Sequence, residues 1–235
     1  MAGKRIIITG ASKGLGKAFA EIFANNGDDL LLCASKEQPL IETTINLKQQ
    51  YPNSDIQYRV ADLSLKEQVI AFADWCTAFG PAAVLINNAG RFIPGSVYNE
   101  AEGVLENMIA TNLYSAYHLT RAILPQMIAV KSGHIFNICS IASIQAYANG
   151  GSYSISKYAM LGFSKNLREE LKPLGIKVTS VLPGATYTDS WAGTGVDEKR
   201  IMEAEDVAEM VFAASKLSVQ ACVEEIVMRP QLGDL

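Results

Sequence analysis

Seven short apolar runs, alternating with longer stretches of helical pattern, constrain the fold of this chain more than any other feature. The runs are RIIIT (5–9), LLLCA (30–34), IQYRVA (56–61), AVLINN (83–88), HIFNIC (134–139), KVTSVL (177–182) and EEIVM (224–228). Several are apolar at almost every position, as in strands covered on both faces of a parallel sheet. Helices are expected between them, over 15–26, 38–50, 65–79, 101–129, 152–172 and 205–215. Such repeated strand–helix units predict an α/β fold: a doubly wound parallel sheet of about seven strands with helices on both faces.

No proline/serine-rich linker, charge block or repeat divides the 235 residues, so a single domain over 1–235 is expected. A net charge of −4 argues against a nucleic-acid surface, which needs clustered Lys and Arg. No apolar run reaches bilayer-spanning length, and strand-like sequence begins at KRIIITG, so a cytoplasmic protein with no membrane partner is expected. Cys33, Cys76, Cys139 and Cys222 form no C-x-x-C pair. With only His118 and His134 besides, no zinc or iron–sulfur spacing is present, and buried reduced thiols are expected.

In doubly wound sheets, ligands bind outside the carboxyl ends of the strands, near the switch in strand order. Unusual residues should therefore cluster just after strands. After the first strand comes TGASKGLG, with Gly10, Ser12, Lys13, Gly14, Leu15 and Gly16. Glycines let the backbone approach a pyrophosphate, and the next helix offers its first amides to the negative charge. The tip of the second strand is Ser35–Lys36, where an NAD site commonly carries an acidic residue. A hydroxyl and an ammonium, with Lys13 nearby, suit a 2′-phosphate instead, so NADP(H) is preferred and NAD(H) remains possible. Asp62 and Leu63 follow the third strand, with the carboxylate suited to accept from an adenine amino group. INNAG brings Asn88, Ala89 and Gly90 after the fourth. LPGATYT brings Pro183, Gly184, Thr186 and Thr188 after the sixth. Each motif alone is weak; their agreement on one sheet edge is the evidence.

YSISK places Tyr153 and Lys157 one helical turn apart on one face. Ser140 ends the fifth strand and can reach the same crevice. Asn112, in the long preceding helix, is placed to reach the lysine through water.

The order and spacing of these motifs resemble the short-chain dehydrogenase/reductase family in its compact single-domain branch. The resemblance is carried by T-G-x-x-x-G-x-G (Thr9–Gly16), N-N-A-G (Asn87–Gly90), Asn112, Ser140, Y-x-x-x-K (Tyr153–Lys157) and the Pro183–Gly184 turn, and it covers essentially the whole chain. It implies hydride exchange between a nicotinamide and a carbonyl or alcohol carbon. The four residues implied as catalytic are Asn112, Ser140, Tyr153 and Lys157. Tyr153 would be general acid/base, Ser140 would bond the substrate oxygen, and Lys157 would tune Tyr153 and hold the nicotinamide ribose. Asn112 would support a water for reprotonation. A nearby ammonium and an oxidised nicotinamide should lower the tyrosine's pKa. No metal is required.

Phe92, Ile141, Gln145, Tyr147 and Trp191 are expected pocket walls, with a short substrate lid at about 185–204 and a plain surface loop as its alternative. These walls are apolar and aromatic with Arg91 the only nearby cation, which points to a small or medium neutral carbonyl or secondary alcohol. The ending VEEIVMRPQLGDL lacks the Asp-Gly-Gly frequent among 3-oxoacyl-carrier-protein reductases. Cys139 should point away from Ser140 into the core, and His134 and His118 read as structural residues. Apolar residues on more than one face of the helices around 105–129 and 155–172 suggest a homodimer or homotetramer. The competing reading is a non-catalytic NADP(H)-binding sensor or scaffold on the same fold.

Overall fold

The computed structural model describes residues 3–188 and 195–234. Seven strands, β1 (Arg5–Thr9), β2 (Asp29–Ala34), β3 (Ile56–Val60), β4 (Val84–Asn87), β5 (Gly133–Ile138), β6 (Ile176–Pro183) and β7 (Glu225–Met228), form one sheet in the order β3-β2-β1-β4-β5-β6-β7. Every pairing is parallel. This is the Rossmann-like architecture that the alternating runs predict.

Side chains alternate across the sheet because successive Cβ atoms leave opposite faces of a strand. Ile6, Ile8, Leu30 and Leu32 join Phe19 and Phe23 of α1 (Gly14–Asn25), Leu40 and Leu47 of α2 (Glu37–Gln50), and Val207 and Val211 of a later helix, Ala204–Ser215. Ile7, Leu31, Leu85 and Ile135 face the other way. They pack on Val69 and Phe72 of α3 (Lys66–Thr77) and on Leu119, Ile123 and Leu167 of helices described next. Each fully buried Leu, Ile or Phe contributes roughly 1.5–3 kcal/mol. Both faces are covered, which is why the strands carry so few polar residues.

The helix expected over 101–129 is not continuous. It consists of α4 (Val104–Ile109), a π turn over Ala110–Tyr114, and α5 (Ser115–Val130). An i→i+5 turn admits one extra residue per turn, and such bulges favour functional sites. Asn112 lies inside it. The other long helix is α6 (Gly151–Leu171), and α7 is Ala204–Ser215. Among the described residues no helix is long and apolar enough to cross a membrane.

His134 is buried in β5, with Nε2 2.7 Å from Thr179 Oγ1 on β6. Thr179 donates its own hydrogen to Val223 O, so the imidazole must be the donor in this pair. The residue is structural, as its position at the far end of β5 indicated.

Candidate active site

The strand order reverses between β1 and β4, and there the backbone is tied down by side chains. Thr9 Oγ1 accepts from the amides of Asn88 and Ala89, both at 2.9 Å. Asn88 Nδ2 donates to Thr9 O at 2.9 Å and Gly10 O at 3.2 Å. The glycines are required by this closeness. Gly10 has φ +64, and a Cβ there would lie 2.9 Å from Asn88 Nδ2; a Cβ on Gly16 would lie 2.1 Å from Gly10 O. Helix α1 then starts without a side-chain cap at Lys13, leaving its first amides open to an anion.

From this turn a cleft of about 910 Å³ runs along the carboxyl ends of the strands to Ser140 and Tyr153. Of the residues expected to hold a cofactor, all line it except Gly16: the glycine turn at Gly10, Ser12, Lys13, Gly14 and Leu15, the β2 tip at Ser35 and Lys36, Asp62 and Leu63 after β3, Asn88–Gly90 after β4, Tyr153, Lys157, and Pro183, Gly184, Thr186 and Thr188 after β6. Gly16 instead packs the helix against the turn, where any side chain would strike Gly10 O. Asp62 is already engaged, its Oδ1 accepting from Ser64 N at 3.0 Å and Ser64 Oγ at 2.7 Å. Thr186 Oγ1 donates to Gly184 O at 3.0 Å. A backbone cradle that side chains would fill, an open helix start and paired lysines fit a dinucleotide.

Ser140 and Tyr153 face one another. Ser140 leaves β5 as the cap of a one-turn helix, Ile141–Ser143: its Oγ accepts from Ala142 N at 3.1 Å, and Ser143 Oγ accepts from Ser140 N at 3.2 Å. That fixes the orientation of the serine side chain, and its hydroxyl interacts with that of Tyr153. Phe92 stands edge-on to the Tyr153 ring, with centroids 4.9 Å apart.

The expected lowering of the tyrosine's pKa is not met in the protein alone. Burial pushes the Tyr153 phenol up, and the Ser140 hydrogen bond only partly pulls it back. The hydrogen bond of the Lys157 ammonium goes to the backbone. Its Nζ donates to Ile138 O at 2.8 Å and lies 5.8 Å from the ring centroid, while burial pushes the ammonium down. The tyrosine is therefore a neutral phenol at neutral pH, poised to donate.

The Asn112 side chain is anchored by protein groups. Its Oδ1 accepts from Arg91 N at 2.7 Å, and its Nδ2 donates to Arg91 O at 3.0 Å and Ser156 Oγ at 2.8 Å. Both side-chain N–H groups are thus engaged by protein. The neighbouring Thr111, rather than Asn112, lines the cleft. Asn112 holds the start of the 91–103 segment against α6, beside the space above Gly90 that Lys157 Nζ also borders.

Phe92, Ile141, Gln145 and Tyr147 line the cleft near Tyr153; Trp191 lies outside the described residues. Burial and the neighbouring Tyr153 push the Tyr147 phenol up to about 12. Cys139 packs with Ala116, Met160 and Leu182, and burial raises its thiol to about 12, so it stays protonated. Among the described residues no cluster of His, Cys, Asp and Glu could hold a metal.

Three features had no signal in the sequence reading. Glu100 caps α6 from a distance, accepting from Ser152 Oγ and, at 3.4 Å, from Ser152 N. Asp234 lines the cleft beside Gly184. Arg229 pairs with Asp234 and bonds Gln145, so Arg91 is not the only cation close to the pocket. No local pattern could have placed the C-terminal residues there.

Comparisons with known proteins agree with this geometry. The family model described as short chain dehydrogenase matches residues 4–199. An uncharacterized oxidoreductase of Staphylococcus saprophyticus is 29% identical over 228 residues, 97% of each chain. A metagenomic short-chain oxidoreductase solved in complex with NADP is 29% identical with a TM-score of 0.84, covering 98% of each chain. L-Sorbose reductase from Gluconobacter frateurii, complexed with NADPH and L-sorbose, is 27% identical with a TM-score of 0.90, over 97% of this chain and 95% of that one.

Proposed function

The chain belongs to the short-chain dehydrogenase family, and we propose that it transfers hydride between NADP(H) and a small or medium neutral carbonyl compound or secondary alcohol. The observation that carries this reading is the Ser140–Tyr153 hydroxyl pair at one end of a cleft whose other end is the glycine turn. NADP and NADPH in solved relatives support the cofactor.

The pyrophosphate would lie on the glycine turn and the open start of α1, the 2′-phosphate against Ser35, Lys36 and Lys13, and the ribose beside Tyr153 and Lys157. Bound there, the nicotinamide supplies or accepts the hydride. Ser140 bonds the substrate oxygen and stabilises the charge developing on it. In reduction Tyr153 gives its hydroxyl proton to that oxygen; in oxidation the phenolate takes the proton back. Lys157, held by Ile138 O, lends positive potential to the phenolate. Asn112 acts as a positioning residue through Arg91 and Ser156.

In this reading the chain is one dinucleotide-binding unit in a cytoplasmic homo-oligomer. Exposed Leu105, Tyr114, Ile128, Ile155 and Tyr158 on α4, the π turn, α5 and α6 support subunit pairing. Of the segment expected as a lid, 185–204, residues 189–194 lie outside the described residues, and Glu198–Arg200 forms a short turn. A sensor or scaffold would bind the cofactor without turnover. A panel of carbonyl compounds with NADPH and NADH, followed at the nicotinamide absorbance, separates the two: the proposal expects turnover preferring NADPH, and cofactor binding without any turnover rejects it.

A further inference from the structure

The substrate end of the cleft carries a polar cluster that its aromatic walls do not suggest. Beyond β7 the chain folds back over the Pro183–Gly184 turn, with Gly184 N donating to Met228 O at 2.8 Å. Arg200 clamps the tail, donating to Gly233 O at 3.0 Å, Asp234 O at 3.2 Å and Leu232 O at 3.4 Å. Arg229 forms an ion pair with Asp234 Oδ2 and donates through Nη2 to Gln145 Oε1 at 3.2 Å. Gln145 and Asp234 both line the cleft that holds Ser140 and Tyr153.

This arrangement fixes what the cluster offers a ligand. The Arg229 charge is matched by Asp234, and Arg200 spends its N–H groups on backbone carbonyls of the tail, so neither guanidinium is offered to a carboxylate or phosphate. With Oε1 of Gln145 turned to Arg229, the amide N–H groups are the donors it can offer a ligand. Asp234 has its second carboxylate oxygen, Oδ1, on the side of Gly184, where a Cβ would lie 3.1 Å away. A donor and an anionic acceptor on one wall match a hydroxyl, which accepts one hydrogen bond and donates another. The apolar faces of Phe92, Ile141 and Tyr147 suit the C–H surface of the same molecule.

Resting on the oxidoreductase reading, we propose that Gln145 and Asp234 select carbonyl substrates bearing a hydroxyl next to the reacting carbon, and their polyol products. A plain ketone offers neither group a partner in place of the water it displaces, and that difference favours the hydroxylated substrate.

The test compares matched pairs with NADPH: hydroxyacetone against acetone, and erythrulose against butanone, with pyruvate as an anionic arm. The hydroxylated member is expected to have kcat/KM about tenfold or more higher. In Gln145→Leu and Asp234→Asn, both at the protein surface, that ratio falls toward one, through a higher KM for the hydroxylated member. Ratios near one in the wild type, or ratios unmoved by both variants, overturn the proposal and leave the oxidoreductase reading standing. So does preference for pyruvate over hydroxyacetone, which transfers recognition to Arg91. No turnover of any carbonyl with either nicotinamide overturns both.

Discussion

The hydroxyls of Ser140 and Tyr153 meet in the cleft, and the Ser140 oxygen accepts from the Ala142 amide. The serine is therefore oriented by backbone before any substrate arrives. Ser140→Ala removes that hydroxyl and is expected to lower kcat by about 10²–10³. The bond favours the phenolate, so its loss raises the tyrosine's pKa further. Reduction needs the neutral phenol and oxidation needs the phenolate. The alkaline fall of reduction and the alkaline rise of oxidation should both move to higher pH in the variant. A pH–rate profile in each direction checks the sign.

Lys36 lies two residues beyond β2 at the lip of the cleft, with α2 starting at Glu37. A charge-assisted hydrogen bond contributes about 1.5–3 kcal/mol. Lys36→Ala should weaken NADPH about tenfold or more and leave NADH within about twofold. Fluorescence titration of both nucleotides measures this, and equal losses for the two would show that the lysine does not read the 2′-phosphate.

His134 links pH to stability. Its folded value is depressed to about 3 from 6.5 by burial and the Lys177 charge. As pH falls, the unfolded chain binds the proton first. The contribution is thus complete above about pH 6.5 and is lost progressively toward pH 3, with a ceiling of roughly 5 kcal/mol at about 1.4 kcal/mol per pH unit. Urea midpoints between these pH values should fall more steeply for the wild type than for His134→Gln; parallel curves would exclude this linkage.

Glu100 supplies the cap that Gly150, at the start of α6, has no side chain to provide. Glu100→Ala should cost about 1 kcal/mol, with Glu100→Gln retaining part of it because an amide oxygen can still accept from Ser152. Chemical denaturation reads both variants, and an alanine variant as stable as the wild type would mean that solvent caps the helix equally well.

What the sequence disclosed follows from the range of each interaction. Apolar runs mark strands because burial on both faces acts at every position, so β1 to β7 were legible to within two residues. The glycine turn, Ser140 and the Tyr153–Lys157 pair each depend on neighbours a few residues away, and they too were legible. The π turn was not, because the apolar pattern over 101–129 looks the same whether the backbone closes i→i+4 or i→i+5. Asn112 was identified but its partners were not, since Arg91 and Ser156 are 21 and 44 residues distant. Burial as the dominant influence on Tyr153 needs the surrounding walls in place. The tail carrying Arg229 and Asp234 reaches Gln145 across 84 residues with no pattern to announce it.

The most direct measurement is Tyr153→Phe, which keeps the ring against Phe92 and deletes one hydroxyl. NADPH affinity by fluorescence and carbonyl reduction at the nicotinamide absorbance are followed on the same preparation. The account predicts that kcat falls by about 10²–10⁴ in a variant that still binds NADPH. Turnover equal to the wild type would contradict it, because the proton would then come from elsewhere.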